Sequence, residues 1–249
     1  MPVSSQRLGH AVVVTIDRPE RRNALDGPTI EAIGTAFVAA EADDDVRAVV
    51  LTGSGDKAFC AGMDLKAPRD PVARGPGLGA FTNRCYPKPV IAAVNGAAVG
   101  GGFELMLAAD LVVAADHATF AVPEVLRGLV GAGCTTRLAA RLPPALVAEL
   151  TFLGTPFDAR RAMALGLVNQ VVPIGDLLPQ ALALVDRLAL AAPLALRVTK
   201  ELIFREQGMH DDAEWRVIRA QAAPVFASDD AREGAAAFTA KRPPVWTGR

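Results

Sequence analysis

Glu104 and Glu124 stand twenty positions apart in the most apolar and glycine-rich part of the chain, one just after Gly100-Gly101-Gly102 and the other just after Pro123. Burying a carboxylate costs free energy unless a partner or a reaction needs it, so the pair points to a cleft in which protons are moved. Each has a structural explanation when taken alone. Glu104 falls in the first turn of an expected helix, where the dipole favours an anion, and Glu124 follows a proline at a strand-to-loop position. Facing one water together, they could divide the work, one accepting a proton from the nucleophile and the other delivering one to the substrate.

Two small-residue loops offer backbone amides to the same chemistry. Asn95-Gly96 and Gly100-Gly101-Gly102 follow a strand and precede a helix, so amides near Gly101 are placed for an anion or oxyanion. GxGxxG is absent, which argues against a dinucleotide site. The same glycines would also let a helix approach a sheet closely. The second loop, Ala58-Phe59-Cys60-Ala61-Gly62-Met63-Asp64-Leu65, comes shortly after a strand ending near Leu51 and its Thr52-Gly53-Ser54-Gly55 turn. A plain turn in which Asp64 caps a following helix is the competing explanation. Cys60 has no histidine in the adjacent motif and is read as a small buried filler, not a nucleophile.

The elements that must position these residues alternate. Ala11 to Ile16, Ala48 to Leu51, Val90 to Val94 and Leu111 to Ala114 are continuous apolar runs, as expected of strands buried on both faces. A helix opened by Pro28 carries Ile30, Ile33, Phe37 and Val38, and another from Gly101 carries Leu105, Met106 and Ala109. This alternation predicts an α/β core with crossover connections. A further strand is expected over Val168 to Val172, stopped by Pro173. Helical spacing then runs from Leu177 to Leu190, Leu194 to Phe204, Trp215 to Val225 and Ala231 to Phe238, with apolar faces suited to the core or to another subunit. We divide the chain into an α/β core, 1–190, and a helical oligomerisation region, 191–249. The proline- and glycine-dense segment Ala67 to Gly79 is read as a flap beside the cleft.

Composition narrows the function classes. Against 26 Lys and Arg stand 27 Asp and Glu, so no overall field draws in nucleic acid or an anionic membrane, and 5% aromatic content argues against a stacking platform for single strands. Cys60, Cys85 and Cys134 are far apart with no CxxC, and His10, His117 and His210 are isolated, so neither a disulfide framework nor a metal site is expected. Asn95, Glu104, Asp110 and glycines interrupt the apolar stretch Val90 to Ala115, which excludes it as a membrane span. A cytoplasmic protein is expected.

These segments in this order resemble the crotonase family, the enoyl-CoA hydratase and isomerase superfamily. The resemblance rests on Asp17-Arg18-Pro19 with Arg22-Asn23-Ala24-Leu25, on the AFCAGMDL segment, and on Ala93-Val94-Asn95-Gly96 leading to Gly100-Gly101-Gly102-Phe103-Glu104-Leu105. It continues through Phe120-Ala121-Val122-Pro123-Glu124, the run Ala162 to Pro173, and Ala237-Phe238 with Lys241-Arg242, covering nearly the whole chain. It implies a spiral of strand-strand-helix turns with a helical carboxy-terminal region that trimerises, often as a dimer of trimers, and acyl-CoA thioesters as ligands with no further cofactor. The matching oxyanion amides are those of Met63 and Gly101. With both acids retained, the resemblance implies an enoyl-CoA hydratase: Glu104 activates water for attack at C3 of a trans-2-enoyl thioester while Glu124 protonates C2. It carries Arg22, Ala24, Ala61, Asp64 and Leu65 over as CoA-contacting positions, with Lys241 and Arg242 approaching the nucleotide from a neighbouring subunit. Gly131-Ala132-Gly133-Cys134-Thr135-Thr136 departs from the usual hydratase segment, and Arg127 is an unusual neighbour for the cleft. The alternatives are an enoyl-CoA isomerase using Glu124 alone or another crotonase-type acyl-CoA enzyme and, outside enzymes, an acyl-CoA or RNA binding relative without turnover.

Overall fold

The computed structural model describes residues 1–67, 77–206 and 212–248, with the backbone alone at 206 and 212–215. Most of the segment read as a flap therefore lies outside the described residues. In chain order the strands are β1 (Val3–Leu8), β2 (Ala11–Ile16), β3 (Ala48–Gly53), β4 (Ala58–Cys60), β5 (Val90–Val94), β6 (Ala97–Val99), β7 (Leu111–Ala115), β8 (Thr119–Ala121), β9 (Phe157–Asp158) and β10 (Gln170–Val172). The helices are α1 (Gly27–Ala42), α2 (Gly101–Leu107), α3 (Ala132–Ala139), α4 (Pro144–Leu153), α5 (Ala159–Ala164), α6 (Leu177–Ala189), α7 (Pro193–Glu206), α8 (Asp212–Ala227) and α9 (Asp229–Ala240).

Two sheets result, one in the order β1-β2-β3-β5-β7-β10 and a smaller one in the order β4-β6-β8-β9. Successive turns of the chain feed both. The first strand of each turn, β3, β5 or β7, adds in parallel to the larger sheet, and the next, β4, β6 or β8, joins the smaller one. Helices α2 and α3 return the chain after the second and third turns. This is the spiral of strand-strand-helix repeats that the resemblance implies.

The continuous apolar runs have the expected cause. Along β2 and β3, Val14, Ile16, Val49 and Leu51 face one core with Ile33 and Phe37 of α1, while Val13, Ala48 and Val50 face the other beneath Leu177, Ala181, Leu184 and Val185 of α6. The last expected strand begins later than its sequence suggests. Leu167 and Val168 are buried ahead of it, and Asn169 has already engaged β7: its Oδ1 accepts from the Val112 amide at 2.7 Å, and its own amide donates to the Val112 carbonyl at 2.9 Å.

The smaller sheet positions the loops that matter for function, and two buried asparagines hold it in register. Asn23 Nδ2 donates to the carbonyls of Ser54 (3.0 Å) and Ala58 (2.7 Å), and its Oδ1 accepts from the Arg18 amide at 3.0 Å. Asn95 Nδ2 donates to Gly55 (2.8 Å) and again to Ala58 (3.1 Å), while its Oδ1 accepts from the Gly53 amide at 3.0 Å. The turn into β4, and hence the loop after Cys60, is clamped from two sides. Removing a buried amide leaves several main-chain groups without partners. Asn95→Ala is expected to cost about 2 kcal/mol and to lower the thermal midpoint by roughly 5 °C. A midpoint equal to that of the wild type would show that the clamp is dispensable.

Candidate active site

A cavity of about 680 Å³ opens between the loop after β4, the amino end of α2, the 3-10 turn Glu124–Arg127 and the carboxy-terminal helices α8 and α9. Met63 and Gly101 face it from adjoining walls. Leu25 and Met63 form a parallel bridge in which the Leu25 amide donates to the Gly62 carbonyl and the Asp64 amide donates to the Leu25 carbonyl, each at 2.8 Å. In that pattern the intervening Met63 N–H points away from Leu25. Gly101 opens α2, so its N–H has no acceptor within the helix. The two segments nearly touch: a Cβ built on Gly101 would lie 3.8 Å from the Met63 nitrogen, and one on Gly62 would lie 3.1 Å from the Gly101 nitrogen. Gly62 has φ +84°, a conformation that favours glycine, which ties the Ala61-Gly62 pair to this approach.

Both glutamates line the same cavity. The Glu104 carboxylate packs under Gly133 of α3 and meets Arg137 Nη1 at 3.4 Å. Burial pushes its pKa above the ordinary carboxylate value, and the Arg137 charge pulls it back. Glu124 Oε1 lies 3.0 Å from the place a Cβ on Gly100 would occupy, directly beneath the turn that presents the Gly101 amide. Its Oε2 is buried and has no hydrogen-bond partner among the described residues. Burial raises the Glu124 pKa first of all. Its own backbone amide opposes that rise, the Glu104 charge adds to it, and Arg127 again lowers it. Two acids in one cavity beside two inward-facing amides can abstract a proton, deliver one, and hold a developing oxyanion between them.

The positions that the family resemblance assigns to CoA, Arg22, Ala24, Ala61, Asp64 and Leu65, all line the cavity with Met63 and Gly101. Asp64 does not cap a helix. Its carboxylate caps a turn at the Lys66 amide (3.1 Å) and pairs with Arg18 Nη2 at 3.2 Å. Arg18 also reaches Asp26 at 2.8 Å and donates to the Ala24 carbonyl, so one guanidinium fastens the Arg22–Leu25 segment to the Met63 loop. Lys241 and Arg242 stand outside this cavity, and Arg242 forms a two-pronged pair with Glu233 at 2.6 and 2.8 Å. Cys60 is buried, with its thiol pushed up to about 12, which suits a filler and not a nucleophile.

Three features escaped the sequence. Arg137 is fully buried beside Glu104; a cation within the small-residue run after Gly131 was the available signal for a buried partner. Phe226 of α8 and Phe238 of α9 supply aromatic lining from far along the chain. Arg127, flagged only as unusual, stacks its guanidinium 3.7 Å from the Phe238 ring centroid, while its carbonyl packs against Gly234. Helix α9 thus braces the turn that carries Glu124.

Residues 8–249 match the family model described as enoyl-CoA hydratase/isomerase. The chain belongs to this family of enzymes. A carnitinyl-CoA dehydratase from Salmonella paratyphi A is 42% identical over 254 aligned positions, spanning 98% of this chain and 97% of that protein. The crystal structure of a carnitinyl-CoA hydratase from Mycobacterium avium superposes with a TM-score of 0.91 at 40% identity, covering 100% of this chain and 99% of that one. A methylmalonyl-CoA decarboxylase superposes with a TM-score of 0.86 at 29% identity, covering 100% and 99%, so the fold of this family hosts more than one reaction. Among the described residues no group of three or more His, Cys, Asp or Glu is placed to hold a metal ion, and no helix is long and apolar enough to cross a membrane.

The packing of Gly133 against Glu104 gives a direct test. A Cβ there would overlap the carboxylate, which is the movable end of its side chain, while alanine is the better helix former. Gly133→Ala is expected to leave the thermal midpoint nearly unchanged and to lower kcat on a 2-enoyl-CoA by roughly 100-fold. Full activity in that variant would remove Glu104 from the site.

Proposed function

We propose that this chain is a hydro-lyase that reversibly adds water across the C2–C3 double bond of a trans-2-enoyl-CoA thioester. The observation that carries this reading is the meeting of two carboxyls and two backbone amides in one cavity. The thioester oxygen sits between the Met63 and Gly101 N–H groups. Glu104 takes a proton from water as its oxygen bonds to C3, and the π electrons move onto the thioester oxygen as an enolate. The enolate collapses as C2 takes the proton held by Glu124, and a proton returns from Glu104 to Glu124 through water. Dehydration is the same path reversed. Donors preorganised for an oxyanion typically contribute about 3 kcal/mol to such a step.

The relatives named carnitinyl-CoA dehydratase and hydratase support water addition or removal on a CoA ester as the reaction type. Arg22, Ala24, Ala61, Asp64 and Leu65 are assigned to the CoA side of the cavity, Asp64 by holding its loop, and no further cofactor is required. Residues 191–249 are assigned to assembly into a homotrimer or a dimer of trimers. Helix α7 docks through Lys200, whose Nζ bonds Asp110 Oδ2 at 2.7 Å and the Lys88 carbonyl at 2.8 Å, and it presents Leu194, Val198 and Leu202 to the outside. An aliphatic stripe of that kind suits contact with another subunit. A cytoplasmic location fits the free thiols of the chain.

Glu104→Gln and Glu124→Gln are each expected to slow hydration of crotonyl-CoA by about 100-fold or more, followed as loss of the conjugated thioester absorbance. If hydration survives Glu104→Gln nearly intact, a single-acid isomerase is the better description. Hydration needs Glu104 ionised and Glu124 protonated. The rate should therefore fall as pH drops through the raised Glu104 pKa and again as it climbs through the raised Glu124 pKa, both limbs lying above the ordinary value of 4.5. A pH-rate profile flat across this range would contradict the assignment.

A further inference from the structure

Arg137 is an expensive residue for this position. Its side chain is 0% exposed, and a guanidinium withdrawn from water is tolerated only when its donors are satisfied and its charge is met. Its two Nη groups are aimed at three different elements. Nη1 donates to the Gly133 carbonyl at 3.1 Å within α3 and meets Glu104 Oε1 at 3.4 Å on α2, while Nη2 donates to the Thr82 carbonyl on the far wall. Only one Glu104 oxygen is engaged, and at the long end of the range, so the carboxylate keeps its remaining lone pairs for a ligand in the cavity. Glu124 has nothing equivalent: its buried Oε2 lacks a partner among the described residues, and Arg127 beside it is only partly buried and stacked on Phe238.

We propose that Arg137 is a positioning residue: by pairing with Glu104 from the buried side it fixes that carboxyl as the anionic member of the pair and thereby leaves the proton on Glu124. This rests on the hydro-lyase reading and supplies what that reading lacks, a physical reason why two acids in one cavity take opposite roles. The remaining groups around Glu104 do not compete for the part. Cys134 on α3 presents a buried thiol that donates to the Gly100 carbonyl at 3.3 Å, and Glu124 on its turn is itself an acid. Arg141, one helical turn beyond Arg137, is directed at the Leu107 carbonyl at 2.6 Å, and Arg219 of α8 lines the adjoining chamber from its exposed side. Among the described residues, Arg137 is the cation in contact with Glu104. A guanidinium stays charged throughout the working pH range, which suits a fixed bias better than lysine or histidine would.

The test compares Arg137→Lys, which keeps a cation, with Arg137→Gln, which keeps donors without charge. For crotonyl-CoA hydration, Arg137→Gln should lose roughly 100-fold in kcat with KM nearly unchanged. The acid limb of its pH-rate profile should move to higher pH, because Glu104 loses the charge that holds it ionised. Arg137→Lys should recover most of the rate and return the limb towards its wild-type position. In Glu104→Gln/Arg137→Gln the second change should add less than about threefold to the first, as expected of groups acting through one another. An unmoved limb, or losses that multiply in the double variant, would overturn the proposal. Should Arg137→Gln fail to fold by circular dichroism, Arg137→Lys decides alone: a limb displaced while the cation is retained counts against the role. Carboxyl carbon NMR titration of Glu104 in wild type and variant reads the same bias without turnover. A shift there in a protein that hydrates no enoyl-CoA would uphold Arg137 while sinking the hydro-lyase reading.

Discussion

Two carboxyl groups share one mostly apolar cavity, and that constraint governs the rest of the molecule. Each acid is pushed towards its neutral form by burial, and the Glu104 charge makes Glu124 harder still to ionise. What separates them is the environment: a buried guanidinium stands behind Glu104, whereas an oxygen of Glu124 is buried without a partner among the described residues. Unlike surroundings for two titratable groups in one site are the usual physical basis for assigning acid and base.

The scaffold brings this pair to a second pair, the amides of Met63 and Gly101, by means that are local and redundant. The asparagines at 23 and 95 converge on the Ala58 carbonyl and set the smaller sheet, from which the Met63 loop departs. Arg18 then ties that loop to the Arg22–Leu25 segment through Asp64 and the Ala24 carbonyl. On the other side, Gly102 packs against the Cys60 carbonyl so closely that any side chain would overlap it, which brings the amino end of α2 onto β4. Helix α9 returns from the far end of the chain to brace the turn bearing Glu124, so the carboxy-terminal helices help to build the site.

Much of this was legible in the residues. The long apolar strands announced themselves because both faces of the larger sheet are buried, and the triple glycine before Glu104 and the Ala61-Gly62 pair marked the amide-bearing loops. The smaller sheet was not legible, since β4, β6 and β8 have three residues each and no periodicity can be read from so short a run. Its strands hide inside the motifs that carry the family resemblance. Arg137 and the two phenylalanines escaped for another reason: their significance lies in contacts across 33 positions in one case and between distant helices in the other, and neither leaves a local pattern. Asp64 looked like a helix cap because Asp after small residues often is one, but its carboxylate is committed to Arg18 and a turn instead.

If both acids act from one side of a substrate held by its thioester oxygen, the hydroxyl and the new C2 hydrogen must arrive on the same face. Hydration of crotonyl-CoA in deuterium oxide, with the relative configuration at C2 and C3 read from proton coupling constants, measures this directly. Delivery from one side gives a single syn-addition product carrying one deuterium at C2. A product of anti addition, or a mixture of the two, would contradict it.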